Sequence, residues 1–145
     1  MINLVDYEFS SEHSRVDVGI VHRWLSEESY WAKGVPFKIV ERALKNSLCF
    51  TIHHSSDGQV AFARVITDNA TFAYLADVFV LPAHRGKGLS KHLMKKIMIH
   101  ADLQGLRRWM LATRDAHGLY AQFGFVDPVP GRLMERVNPK VYEEF

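Results

Sequence analysis

The run from Val78 to Ser90, Val-Phe-Val-Leu-Pro-Ala-His-Arg-Gly-Lys-Gly-Leu-Ser, is the part of the chain with the fewest conformations open to it. Its apolar start reads as a buried strand, Pro82 ends that strand, and Leu89 opens an amphipathic helix. Gly86 and Gly88 lie between the two. Without a Cβ, both can turn the backbone tightly and let a ligand approach closely, so that successive N–H groups converge on an anion. The following helix adds its unpaired first-turn donors and the positive end of its dipole. Arg85, Lys87 and Lys91 surround the same point with positive charge. A turn that merely joined a strand to a helix would need neither two glycines nor this cluster. The spacing lacks the Gly-Lys-Ser/Thr end of a nucleoside-triphosphate loop. It also lacks the third glycine and the downstream acidic residue of the dinucleotide fingerprint.

A second block lies downstream, at Leu111-Ala112-Thr113-Arg114-Asp115-Ala116-His117-Gly118-Leu119-Tyr120-Ala121-Gln122-Phe123-Gly124-Phe125. Together, in this order and at this separation, the two blocks resemble the GNAT superfamily of N-acetyltransferases, in the form of a small stand-alone bacterial-type member. The family's pyrophosphate loop has Arg or Gln, two residues, Gly, one residue, then Gly or Ala. Gly86 and Gly88 fit it, while Ala83 stands where Gln or Arg is often found. The Leu-Tyr-x-x-Phe-Gly-Phe ending is similar to the family's short helix whose tyrosine faces the thioester sulfur. The resemblance covers about Leu48 to Phe125.

It implies an α/β (α+β) GNAT fold, a mostly antiparallel mixed sheet with a splayed parallel strand pair flanked by helices. It also implies acetyl-CoA as co-substrate. The arm of the coenzyme would lie in the splay against backbone groups of Phe79, Val80 and Leu81 or their neighbours. Its phosphates would meet Arg85, Gly86, Lys87, Gly88, Leu89 and Ser90. The implied reaction is acetyl transfer to a primary amine in a ternary complex, the amine being a small amine, an amino acid or a peptide N-terminus. An ammonium ion has no lone pair, so the amine must shed a proton before attack although a free alkylamine has a pKa of about 10. A backbone N–H of the central strand would stabilise the oxyanion, and Tyr120 would protonate the departing thiolate. The alternative function is a domain that binds acetyl-CoA without catalysis, as a sensor or interaction module.

Two residues are candidates for the base. Asp77 is a carboxylate in an apolar strand, costly to bury without a partner, and serves either as base or as a structural group paired with Arg64 or Arg114. His117 lies three residues before Tyr120 on the same short helix and offers an imidazole nitrogen as proton acceptor. By resemblance, Tyr30 and Trp31 would wall the acceptor side of the cleft, with Arg64 or Asp68 reading the acceptor's charges.

Composition agrees with one compact domain spanning 1–145: 48% of residues are hydrophobic and 23% charged, well away from disorder. The formal net charge of +2 is too small to imply nucleic acid, and the basic helix carries no helix-turn-helix or aromatic RNA-binding pattern. The N-terminus has no signal-peptide pattern and no segment has the length of a membrane span, so a cytoplasmic protein without a membrane partner is expected. A homodimer is left open. Cys49 is the only cysteine and reads as a buried thiol in a strand. The eight histidines show no paired metal-ligand spacing, and no metal is expected.

Periodicity predicts strands over Ile2–Phe9, Leu48–His54, Gln59–Ile66, Phe72–Val80, Trp109–Thr113 and Leu133–Val137. A helix capped by Asp17 carries Val18, Val21, Trp24 and Leu25. A second, begun at Pro36, turns Phe37, Val40 and Leu44 inward. A third spans Leu89–Ala101 with Leu89, Leu93, Met94, Ile97 and Ala101 inward, and a short one spans Ala116–Phe123.

Overall fold

The computed structural model describes residues 5–144. Strands β1 (Tyr7–Ser10), β2 (Leu48–His54), β3 (Gly58–Thr67), β4 (Phe72–Val80) and β5 (Arg108–Leu111) form one sheet in chain order. The first four are antiparallel to their neighbours. β5 runs parallel to β4, a pairing that requires a crossover, and α3 (Leu89–Met98) supplies it.

α1 (Val18–Glu27) starts where its cap permits: the Ile20 amide donates to Asp17 Oδ1 at 3.1 Å. With α2 (Phe37–Lys45) it covers one face of the sheet, packing Val21, Leu25, Val40 and Leu44 on Cys49, Phe62 and Phe79. α3 covers the other face, where Leu89, Leu93, Met94 and Ile97 meet Phe50, Ile52, Ala61 and Val65. Strand alternation sends Cys49 and Phe50 to opposite layers. Cys49 is 1% exposed, and burial pushes its thiol up to about 11. A disulfide reagent at pH 8 is therefore expected to leave Cys49 unmodified in the native protein and to titrate one thiol only after unfolding.

Four expectations change. Residues 2–4 of the first expected strand lie outside the described residues, and the strand begins at Tyr7. Phe37 is 43% exposed and lies edge-on to His22, because the inward stripe of this short helix is filled by Val40 and Leu44. α3 ends at Met98, leaving Ala101 exposed in a 3₁₀ turn whose Leu103 enters the core instead. Leu133–Val137 forms no strand, and Met134 is 99% exposed. Pro128, Pro130 and Pro139 withhold ladder donors around it, and Gly131 (φ 81°) turns the chain just before it. No described helix is long and apolar enough to cross a membrane.

Candidate active site

β4 and β5 pair only as far as Leu75 and Leu111. Beyond them β4 continues through Val80 with β3 alone, so the sheet splits there. The same stretch of β4 is bulged. Its register with β3 slips between Phe62 and Arg64, and Asp77 takes φ 57° in the left-handed region, where Asp is one of the few tolerated side chains.

The Asp77 carboxylate is held from two sides. Trp31 Nε1–H donates to Oδ1 at 2.8 Å and Arg64 Nε–H donates to Oδ2 at 2.8 Å. Arg64 also donates to Ser47 Oγ at 3.2 Å. Of the two pairing partners considered for Asp77, the structure supplies Arg64. Arg114 instead stacks its guanidinium 3.9 Å above the Tyr30 ring, and its amide donates to Tyr30 Oη at 3.2 Å. Trp31 contacts Tyr30 edge-on and Trp24 obliquely, and Trp24 stacks on Phe79 at 4.6 Å. This aromatic series fixes the loop between α1 and α2 over the strand.

Tyr30, Trp31, Arg64, Asp77, Thr113 and Tyr120 line a cleft of about 340 Å³ at the split. Tyr120, on α4 (His117–Ala121), is buried, and its phenol is pushed up to about 12, first by that burial and then by Tyr30 and Asp115. His117 is exposed at the start of the same helix. It lines an adjoining groove of about 710 Å³ that shares Leu111, Ala112, Thr113 and Tyr120 with the cleft, and it does not line the cleft holding Asp77. Asp68 likewise does not line the cleft. It caps its own loop, accepting from the amides of Ala70, Thr71 and Phe72 and from the Thr71 hydroxyl.

At the far end of β4, the Leu81 amide donates to Val60 O at 2.8 Å. By alternation the backbone groups of Phe79 and Leu81 point to β3, so the opening is faced by Val78 and Val80, with the Val80 carbonyl already accepting from Arg85 Nε at 2.9 Å. Gly86 (φ 76°) and Gly88 (φ 80°, the N-cap of α3) are both left-handed, and the space a Cβ would occupy at each is open. That open, donor-rich turn with Lys87 and Lys91 exposed beside it fits a pyrophosphate.

The sequence gives no signal for a further cluster, Tyr7, Asp57 and His84. His84 Nδ1 lies 2.7 Å from Tyr7 Oη and its Nε2 2.8 Å from Asp57 Oδ2. The partners are 77 and 27 residues away, beyond the reach of any motif.

A mixed sheet split beside a glycine-bearing turn that caps a helix defines the N-acetyltransferase type of α/β fold. Residues 45–127 match the family model described as the acetyltransferase (GNAT) domain. A Gibberella zeae protein, provisionally named an acetyltransferase, is 30% identical over 138 residues, covering 81% of this chain and 77% of its own. A crystal structure from Xanthomonas campestris pv. campestris, assigned to the GNAT family, is 57% identical with a TM-score of 0.89, covering 94% of this chain and 96% of that one. A Clostridium acetobutylicum protein, provisionally named an acetyltransferase and solved with acetyl-CoA, shares the fold at 18% identity and TM-score 0.63, covering 94% of this chain and 96% of that one. The chain belongs to the GNAT family of acetyltransferases.

Proposed function

We propose that the protein transfers an acetyl group from acetyl-CoA to a primary amine, with both substrates bound together. The observation that carries this reading is the split between β4 and β5, which opens beside Tyr120 at one end and leads along β4 to the glycine turn. Acetyl-CoA supplies the acyl group as a thioester. The amides of the Gly86–Ser90 turn, with Lys87 and Lys91, hold its phosphates, and the backbone of Val78 and Val80 aligns its arm along the strand.

On the acceptor side, Asp77 is held in place by Arg64 and Trp31 and orients the amine by a charge-assisted hydrogen bond. Since Arg64 is committed to Asp77 and Ser47, a negative group on the acceptor falls to Arg114, exposed at the rim over Tyr30. The reading therefore favours a small amino acid, with its carboxylate beside the amine, over a bare alkylamine. As the amine nitrogen bonds to the acyl carbon and the carbon–sulfur bond breaks, Tyr120 gives its proton to the sulfur. The proton lost by the amine goes to solvent, and later restores the phenol. His117, on the other groove, is given no role.

The test is a calorimetric titration with acetyl-CoA, with ATP as control for generic phosphate binding, followed by thiol release across a panel of amines. Acetyl-CoA is expected to bind saturably and ATP not. Gly86→Ala is expected to weaken acetyl-CoA about tenfold, since a left-handed L-residue costs roughly 1–2 kcal/mol. Failure of acetyl-CoA to bind, or equal binding of ATP, overturns the reading. Binding without thiol release from any amine leaves the non-catalytic sensor in its place.

A further inference from the structure

Three side chains that acetyl transfer does not use meet at the end of β2. His54 closes that strand, Asp57 sits in the tight turn to β3, and His84 ends the 3₁₀ turn Pro82–His84 just before the glycine turn. One ligand atom from each lies within 4.8 Å of the other two. Asp57 Oδ2 is 2.8 Å from His84 Nε2 and 3.6 Å from His54 Nδ1. With metal–nitrogen bonds of about 2.0–2.1 Å, the edge of a tetrahedral site is about 3.3 Å, close to these separations.

In the metal-free protein the nitrogens of both histidines are already engaged. The amides of Ser56 and Asp57 donate to His54 Nδ1 at 3.2 and 3.3 Å, so that nitrogen is an acceptor, and zinc takes its lone pair from these two long bonds. His84 is buried, and its other nitrogen, Nδ1, faces Tyr7 Oη at 2.7 Å. A phenol hydroxyl either donates or accepts, so His84 can keep its proton on Nδ1 against Tyr7 and offer the Nε2 lone pair. An outer hydrogen bond of this kind is what orients metal-binding histidines. Asp57 is exposed, which leaves water a way to the remaining coordination position. Two imidazoles and one carboxylate suit zinc and its first-row neighbours, where magnesium and calcium require a shell of oxygens.

We propose that His54, Asp57 and His84 form a zinc-binding site that ties the β2–β3 turn to the segment leading into the glycine turn. In the metal-free protein the His84 Nε2–H donates to Asp57; when zinc takes Nε2, the ring proton moves through solvent to Nδ1, where Tyr7 Oη accepts it. The site is independent of the acetyl-transfer reading, and its test does not use activity.

The full chain, without a histidine tag, is titrated with Co²⁺ as a spectroscopic probe and then with Zn²⁺ in competition. One ion per chain is expected, giving the strong visible bands of four-coordinate cobalt that zinc abolishes. His84 is buried, so its removal risks the fold; the variants are His54→Gln and Asp57→Asn, on the wetter side, with melting temperature as the check on folding. Each is expected to weaken Zn²⁺ at least tenfold, while His13→Gln, an exposed histidine outside the cluster, leaves it unchanged. Zn²⁺ is also expected to slow amide exchange at residues 55–58 and 83–86 in the parent and not in Asp57→Asn. No saturable zinc binding by the parent, or equal affinity in His54→Gln and Asp57→Asn, overturns the site. Unchanged exchange at both segments overturns the tie.

Discussion

Tyr120→Phe is expected to bind acetyl-CoA as tightly as the parent and to turn over more slowly by about 10²- to 10⁴-fold, the usual worth of a positioned proton donor. The substitution keeps the ring against Phe125, which it meets edge-on at 6.1 Å, so packing is preserved and the hydroxyl alone is lost. Burial pushes the Tyr120 phenol up to about 12. A phenol that reluctant to ionise is a poor acid toward a thiolate in water, whose thiol titrates near 8.5. The same dry surroundings would raise a thiolate set beside it, which brings the pair back toward balance. The sign for pH follows. The neutral phenol is favoured in the folded state, so its contribution to stability is complete below about pH 10 and fades as pH rises through about 12. Tyr120 therefore stays protonated between pH 6 and 9, and a change of rate in that window belongs to the acceptor amine or to another group. Steady-state kinetics separate the possibilities: a fall in kcat with unchanged acetyl-CoA affinity supports the proton-donor role, and equal kcat reduces Tyr120 to a packing residue.

How much of this was legible in the chain depends on whether the determining contact is local. Leu48–His54 and Phe72–Val80 run as the apolar pattern says, and α1 starts after Asp17 because a cap acts within three residues. The glycine turn was legible for the same reason: the positive φ of Gly86 and Gly88 is a demand on those residues themselves. The bulge at Asp77 was not, since it is a mismatch of register between β3 and β4, and neither strand encodes it alone. It changes the site all the same, by turning Asp77 toward Trp31 and by handing the strand's free backbone groups to Val78 and Val80. Leu133–Val137 shows the opposite failure. Its five residues have enough apolar character for a strand, but flanking prolines and Gly131 deny it a partner, and propensity says nothing about partners. His117 and Tyr120 share a helix and both line the larger groove, yet only Tyr120 also lines the cleft that holds Asp77, because three residues on so short a helix do not guarantee a common reach to a third element.

The second large effect is on stability. Arg64→Ala is expected to lower the free energy of unfolding by about 3 kcal/mol, because it removes one partner of a nearly buried ion pair and strands the other. The two side chains are 16% and 9% exposed, and Asp77 would keep only the Trp31 indole as donor. The cost lies in the stranded carboxylate more than in the lost attraction, so removing the charge from both sides should restore most of it. Arg64→Met with Asp77→Asn is the matching variant: Met keeps bulk under the strand, and Asn is among the few residues that accept the left-handed backbone at position 77. Urea unfolding of the parent, the two single variants and the double closes a cycle. A coupling of 2 kcal/mol or more is expected, and a coupling below about 0.5 kcal/mol would mean that water screens the pair and that the cleft is not dry. The double variant also isolates the site. With the fold restored and the carboxylate gone, the Michaelis constant for the amine is expected to rise while acetyl-CoA affinity holds, since the glycine turn lies at the other end of β4.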